Sequence, residues 1–226
     1  MVRRHAGRAR GAAPSRMTLA IAAQAARLIV EDGLGWRDAC QRAAHALNAP
    51  PHTPMPSRAL MDEQLRAHMA LFCPEQGAEL AALRALALRW MQRLAAFRPH
   101  ITGAVWSGLA TRHADIWLHT FCDDPKALEI FLVNEGEHYT LHSAGEVDGA
   151  PAHWLDMESW CAELGKRVGV HVLARARAAL GGALGRDAVG EAALGNERQL
   201  RERMECAQTA TKGQEWGTFA PFPLEP

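Results

Sequence analysis

Apolar residues between positions 17 and 97 recur every three or four places, the repeat of helices that bury one face. The clearest stripe is Leu80, Leu83, Ala87, Trp90, Leu94 and Phe97. A stripe of this kind needs a partner, and upstream helices supply candidates. Leu19, Ala22, Ala23, Ala26, Ile29 and Val30 share one face of a helix that Gly33 would end, and Trp36, Cys40, Ala43, Ala44 and Leu47 share another. The alanines among them permit close helix contact. Pro50, Pro51, Pro54 and Pro56 then interrupt the pattern. Ser57 is placed to cap a third helix, whose apolar side is Leu60, Met61, Leu65, Leu71 and Phe72.

The period changes after Pro99. Residues 101–106 and 115–121 are short β-branched and aromatic runs separated by a glycine-containing turn, which predicts a β-hairpin and places a domain boundary before it. Asp124 and Pro125 occupy N-cap and N1 positions for a helix carrying Ala127, Leu128, Ile130 and Phe131 and stopping at Gly136. Further strands are expected at 138–142 and 168–173, and a last helix at 191–206. The glycine-rich stretch 181–195 gives no element. The chain is thus read as a basic disordered tail (1–16), a helical region (17–98), an α/β region (99–206) and an extended tail (207–226). The last combines Trp216, Phe219 and Phe222 with three prolines.

Composition narrows the class. A hydrophobic fraction of 48% with 22% charged residues is that of an ordinary globular protein. The most apolar stretch, near Leu80 to Leu88, is interrupted by Arg84 and Arg89 and is too short to span a bilayer, so no membrane association is expected. Basic and acidic residues balance at 25 each, so no global field draws the chain to nucleic acid. Any nucleic-acid contact would fall to Arg3, Arg4, Arg8, Arg10 and Arg16 in the N-terminal tail. Five cysteines without a C-x-x-C pair argue against a zinc site or a disulfide framework and point to a reducing cytoplasm.

Chemistry concentrates in the hairpin Gly103-Ala-Val-Trp-Ser-Gly108-Leu-Ala-Thr-Arg112-His-Ala-Asp115-Ile-Trp117-Leu-His119. It resembles the polymerase-β-like nucleotidyltransferase superfamily, whose motif is a glycine turn followed about ten residues later by an Asp-x-Asp strand. The succession of an alanine-rich helical half, Arg98-Pro-His-Ile-Thr-Gly103-Ala-Val-Trp, the Asp-strand and Asp123-Asp-Pro-Lys126-Ala-Leu-Glu-Ile is similar, over most of residues 17–175, to proteobacterial proteins described as predicted nucleotidyltransferases. The resemblance implies an α+β fold, an alanine-rich helical half packed with a small mixed nucleotidyltransferase-like sheet and flanking helices. It implies a nucleoside triphosphate bound over Gly103 and Gly108, with Asp115 as catalytic carboxylate and Mg²⁺ ligand. Ala104 stands where a serine is usual and Trp117 where the second aspartate belongs, and the expected strand at 168–173 offers no carboxylate. Nucleotidyl transfer would therefore depend on one remaining metal ligand. The alternative is a non-catalytic module on the same scaffold, binding a protein through the helical half or the C-terminal tail.

Strand alternation puts Asp115, Trp117, His119 and Phe121 on one face. Trp117 and His119 could line a pocket for a nucleotide base. The plainer reading has the helical half covering Trp117 and Phe121, with His119 a hydrogen-bonded packing residue. Asp115, His119 and His171 on neighbouring strands form a weaker candidate metal cluster. His138-Tyr-Thr-Leu-His142 lacks the glutamate of a helical zinc motif, and on a strand its two histidines lie about 13 Å apart. Asp123 and Asp124 are read as helix caps. P-loop, dinucleotide-fingerprint and nucleophile-elbow motifs do not occur.

Overall fold

A computed structural model describes residues 13–147, 149–185 and 192–214. The chain has an α+β fold and forms two compact units divided between Phe72 and Cys73. The tail sequences at 1–12 and 215–226 lie outside the described residues, as do 186–191.

The first unit is a three-helix cluster: α1 (Arg16–Asp32), α2 (Trp36–Ala46) and α3 (Arg58–Phe72). Ser15 starts α1 by accepting the Thr18 N–H at 3.1 Å, and Gly33 ends it at φ 68°. The buried face of α1 is Ile21, Ala22, Ala25, Ala26 and Val30, rotated from the face expected, and Leu19 and Ala23 are exposed. Ile21, Ala22 and Ala25 pack with Ala39, Cys40 and Ala43 of α2 and Met61 of α3, a cluster in which four alanines surround two large side chains. Ser57 Oγ accepts the Leu60 N–H at the start of α3. That helix buries Met61, Leu65 and Met69 and leaves Leu71 and Phe72 exposed. Leu71 falls off the 61-65-69 row and Phe72, though in line with it, is the last residue of the helix, so neither is the core residue the sequence suggested.

The second unit places α4 (Gln76–Arg93) against a five-stranded mixed sheet of order β1-β2-β5-β4-β3. Its strands are β1 (His100–Thr102), β2 (Ile116–Cys122), β3 (Thr140–Val147), β4 (Ala150–Cys161) and β5 (Lys166–Ala176). Only the β2–β5 pair is parallel. The Leu83, Ala87, Trp90, Leu94 and Phe97 stripe is buried as expected, but its partner differs. It packs on Ile116, Leu118, Val170, Val172, Leu155 and Met157 of the sheet, with Leu128 and Leu132 of α6 (Pro125–Asn134) and, beyond the one-turn α7 (Leu180–Ala183), Leu200 of α8 (Glu197–Gln214). The boundary expected at Pro99 therefore lies before α4 instead. Helical periodicity states that a face is buried, not what covers it.

Two local readings change with it. The strand expected at 101–106 ends at Thr102, because Gly103 turns the chain at φ 73° into the short helix α5 (Gly103–Ser107), which Gly108 closes at φ 82°. β4 was not foreseen at all, although Leu155, Met157 and Cys161 alternate along it with Trp154, Asp156, Glu158 and Trp160. Asp124 caps α6 by accepting the Lys126 N–H at 2.9 Å, as the sequence indicated. Asn196 and Gln199 exchange reciprocal bonds at the start of α8, a capping box, and the helix runs on to Gln214, into the region read as an extended tail. The five cysteines are free. Among the described residues no helix is long and apolar enough to cross a membrane.

Candidate functional site

With α4, α6 and α8 on one face, the side chains of the other face are polar and aromatic. Register fixes which of them meet: Trp117 lies opposite His171, and His171 opposite Asp156, so the row Trp117, His171, Asp156 crosses β2, β5 and β4. Asp115 immediately precedes β2. Its Oδ1 accepts the Gly169 N–H at 3.0 Å, and its Oδ2 lies 3.4 Å from His171 Nε2. The other ring nitrogen of His171 is 2.7 Å from Asp156 Oδ1, and Asp156 Oδ2 is 3.6 Å from His142 Nε2. The His171 imidazole is thus clasped between two carboxylates, and the Trp117 ring stacks on it at 4.1 Å and 21°.

The electrostatics follow from that clasp. The His171 hydrogen bond, with help from the Gly169 N–H, holds the Asp115 carboxyl below its ordinary range against the opposing pull of burial. The hydrogen bond that His171 donates to Asp115 moves the imidazole the other way, up; burial opposes the rise, and Asp156 reinforces it. His171 is 18% exposed and Asp115 44%, so Asp115 remains open to solvent while the imidazole is largely enclosed. Both face a cleft of about 760 Å³ lined also by Glu137, His138, His142, Asp156, Glu158 and Arg167.

The expected site residues divide around this cleft. Asp115 is at its edge. Gly103 lies one step behind: a Cβ there would sit 3.5 Å from the Trp117 ring, and its positive φ is what suits it to glycine. Trp117 is engaged with His171 and with Trp154, 4.9 Å away edge-on, so neither α4 nor any other helix of the core layer covers it, contrary to the plainer reading. His119 is one residue pair further along, opposite Leu173, beside Trp154 and 3.4 Å from an Arg175 nitrogen. It does not join Asp115 and His171, because a step of two along the strand carries it away from them. Gly108 faces the helical side, near the Arg84 guanidinium, with its carbonyl accepting from Gln76. The turn therefore contributes Gly103 to this face and Gly108 to the other.

Asp156 and Gly169 were missed, and His142 was considered only as part of a zinc motif that does not form. Glycine inside strand β5 was the available signal, since a strand glycine often marks a close approach. A Cβ on Gly169 would stand 2.7 Å from the Asp115 carboxyl carbon. For Asp156 the signal was the alternation along 154–161, which had not been read as a strand.

The donors do not match the all-oxygen octahedral set that Mg²⁺ prefers. One carboxylate oxygen is paired with an imidazole nitrogen, and the second carboxylate is engaged by two histidines. Two-Mg²⁺ chemistry does not fit these residues. Among the described residues no three His, Cys, Asp or Glu side chains are arranged to hold an ion together. Comparison with protein-family models, curated proteins and solved structures finds no match for this chain.

Proposed function

We propose that this chain is a nucleotidyltransferase-like protein that binds a nucleotide in the Asp115–His171–Asp156 cleft. The observation that carries the reading is Asp115: a carboxylate at the head of a central strand, oriented by the Gly169 N–H and the His171 ring, at the mouth of a cleft large enough for a small ligand. The mixed sheet whose strand Asp115 heads supports it. Asp115, Glu137, Asp156 and Glu158 make the lining rich in carboxylates, so a bare triphosphate would be repelled. Binding must then be bridged by a divalent ion, and transfer chemistry, if retained, depends on that ion.

The test is thermal stability with ATP, CTP, GTP or UTP, each with and without Mg²⁺, Mn²⁺ or Co²⁺. Ligand at a hundred times its Kd adds about 2.7 kcal/mol. A metal-dependent rise that Asp115→Ala removes is the expected outcome, and a flat response throughout would defeat the proposal. A second reading is motivated by Leu71 and Phe72, which are 76% and 67% exposed at the end of α3. A non-catalytic module that binds a protein partner through the helical half would leave such side chains uncovered. It expects no response to any nucleotide.

A further inference from the structure

We infer that Asp115 and His171 form the protein half of a site for a tetrahedral divalent ion that accepts nitrogen, of the Co²⁺ or Zn²⁺ class, in place of Mg²⁺. The inference concerns the same cleft and rests on the nucleotide reading only for what completes the coordination.

Distance is the first argument. Nε2 of His171 and Oδ2 of Asp115 are 3.4 Å apart, longer than a well-formed N–H···O hydrogen bond. An ion about 2.05 Å from each donor, the usual Zn–N and Zn–O length, would subtend roughly 110° between them, the tetrahedral angle. Adjacent ligands of an octahedral ion at the same bond length would stand only about 2.9 Å apart. The spacing already present is thus the one a tetrahedral ion needs.

Orientation is the second. A metal-binding histidine characteristically donates its other N–H to a carboxylate, which fixes ring and tautomer. Asp156 Oδ1 stands 2.7 Å from His171 Nδ1, directing Nε2 at Asp115. Trp117, stacked on the ring, limits its rotation. The Gly169 N–H takes Oδ1 of Asp115 and leaves Oδ2 for the ion. Both donors are therefore held before any ion arrives, and the ion takes the place of whatever proton Nε2 shares with Oδ2. The two remaining positions open on the cleft, where water or a phosphate oxygen would fill them.

Co²⁺ titration of the full-length protein without nucleotide tests this, because tetrahedral Co²⁺ has intense visible bands and octahedral Co²⁺ has weak ones. The expected result is the intense spectrum, displaced by Zn²⁺ and not by Mg²⁺. His171→Gln, close to the imidazole in size, and Asp115→Asn should abolish it. Asp156→Asn should keep the spectrum but weaken binding by about 10–100-fold. Far-ultraviolet circular dichroism matching the parent confirms that each variant is folded. A weak octahedral spectrum, or an intense one that survives in folded His171→Gln and Asp115→Asn, would overturn the inference. If Mg²⁺ with nucleotide stabilises the protein while Co²⁺ alone gives no tetrahedral band, the ion assignment fails and the nucleotide reading stands. The opposite pair of results upholds the ion and removes the nucleotide.

Discussion

At the scale of single residues, the cleft depends on one missing methyl group. Gly169→Ala would drive a Cβ into the Asp115 carboxyl, at 2.7 Å from both Cγ and Oδ1, and that short side chain can yield only by swinging away from the strand. The backbone of Gly169 is not in the left-handed region, so the fold should survive the change. The expected outcome is a melting temperature near the parent's with ligand or Co²⁺ response reduced at least about tenfold, in line with loss of an orienting partner. His100 provides a separate, pH-linked prediction. It is 8% exposed, its Nδ1 is 2.9 Å from the Arg98 carbonyl, and burial depresses its proton affinity more than that bond restores it. A depressed histidine binds its proton more readily unfolded than folded. Stability from this group is complete above about pH 6.5 and is lost as pH falls through the lower folded value. Urea unfolding from pH 7.5 to 5 should show this loss, and His100→Gln should flatten that part of the profile.

At the scale of elements, the second unit relies on a few unusually tight joints. Gly195 bridges antiparallel to Ile101 in the middle of β1, and a Cβ there would come within 2.3 Å of the Trp106 ring. Trp106 cannot move aside freely, because its indole N–H donates to the Ala192 carbonyl at 2.7 Å and Arg203 lies 3.9 Å over the ring. Gly195→Ala should cost about 1–3 kcal/mol, the range for overpacking a filled site, measured by denaturant unfolding. The capping box of α8 is a milder case. Asn196→Ala removes the side-chain oxygen that accepts the Gln199 N–H and should cost about 1 kcal/mol. The caps at Ser57 and Asp124 and the stop at Gly33 were legible because donor, acceptor and turn lie within a few residues of one another, whereas the Ser15 cap fell inside the segment read as a disordered tail. The helix α5 was not, because a single glycine at positive φ redirected a run whose composition favours a strand.

At the scale of the whole molecule, the two units have separate cores. The larger core draws on residues from Ala82 to Leu200, and the smaller on residues from Ile21 to Met61. A chain of residues 73–226 should accordingly keep its sheet and its Asp115-dependent ligand response, checked by circular dichroism and the same thermal series. Loss of folding in that piece would show that the first unit is required. The sequence by itself determined that these helices bury one face, several of their caps, the change of period after Pro99 and the place of Asp115 at the head of a strand. These are properties of residues close together along the chain, where propensity and side-chain period act directly. Only the tertiary structure decided that α4 belongs to the sheet, that Gly103 and Gly108 face different sides, and that His171 stands between Asp115 and Asp156. Those outcomes depend on strand order and register, with Asp115 and His171 separated by 56 residues. Pairing β2 with β5, and β5 with β4, is a choice made by the burial of whole faces, so no local pattern around Asp115 could have named its partners.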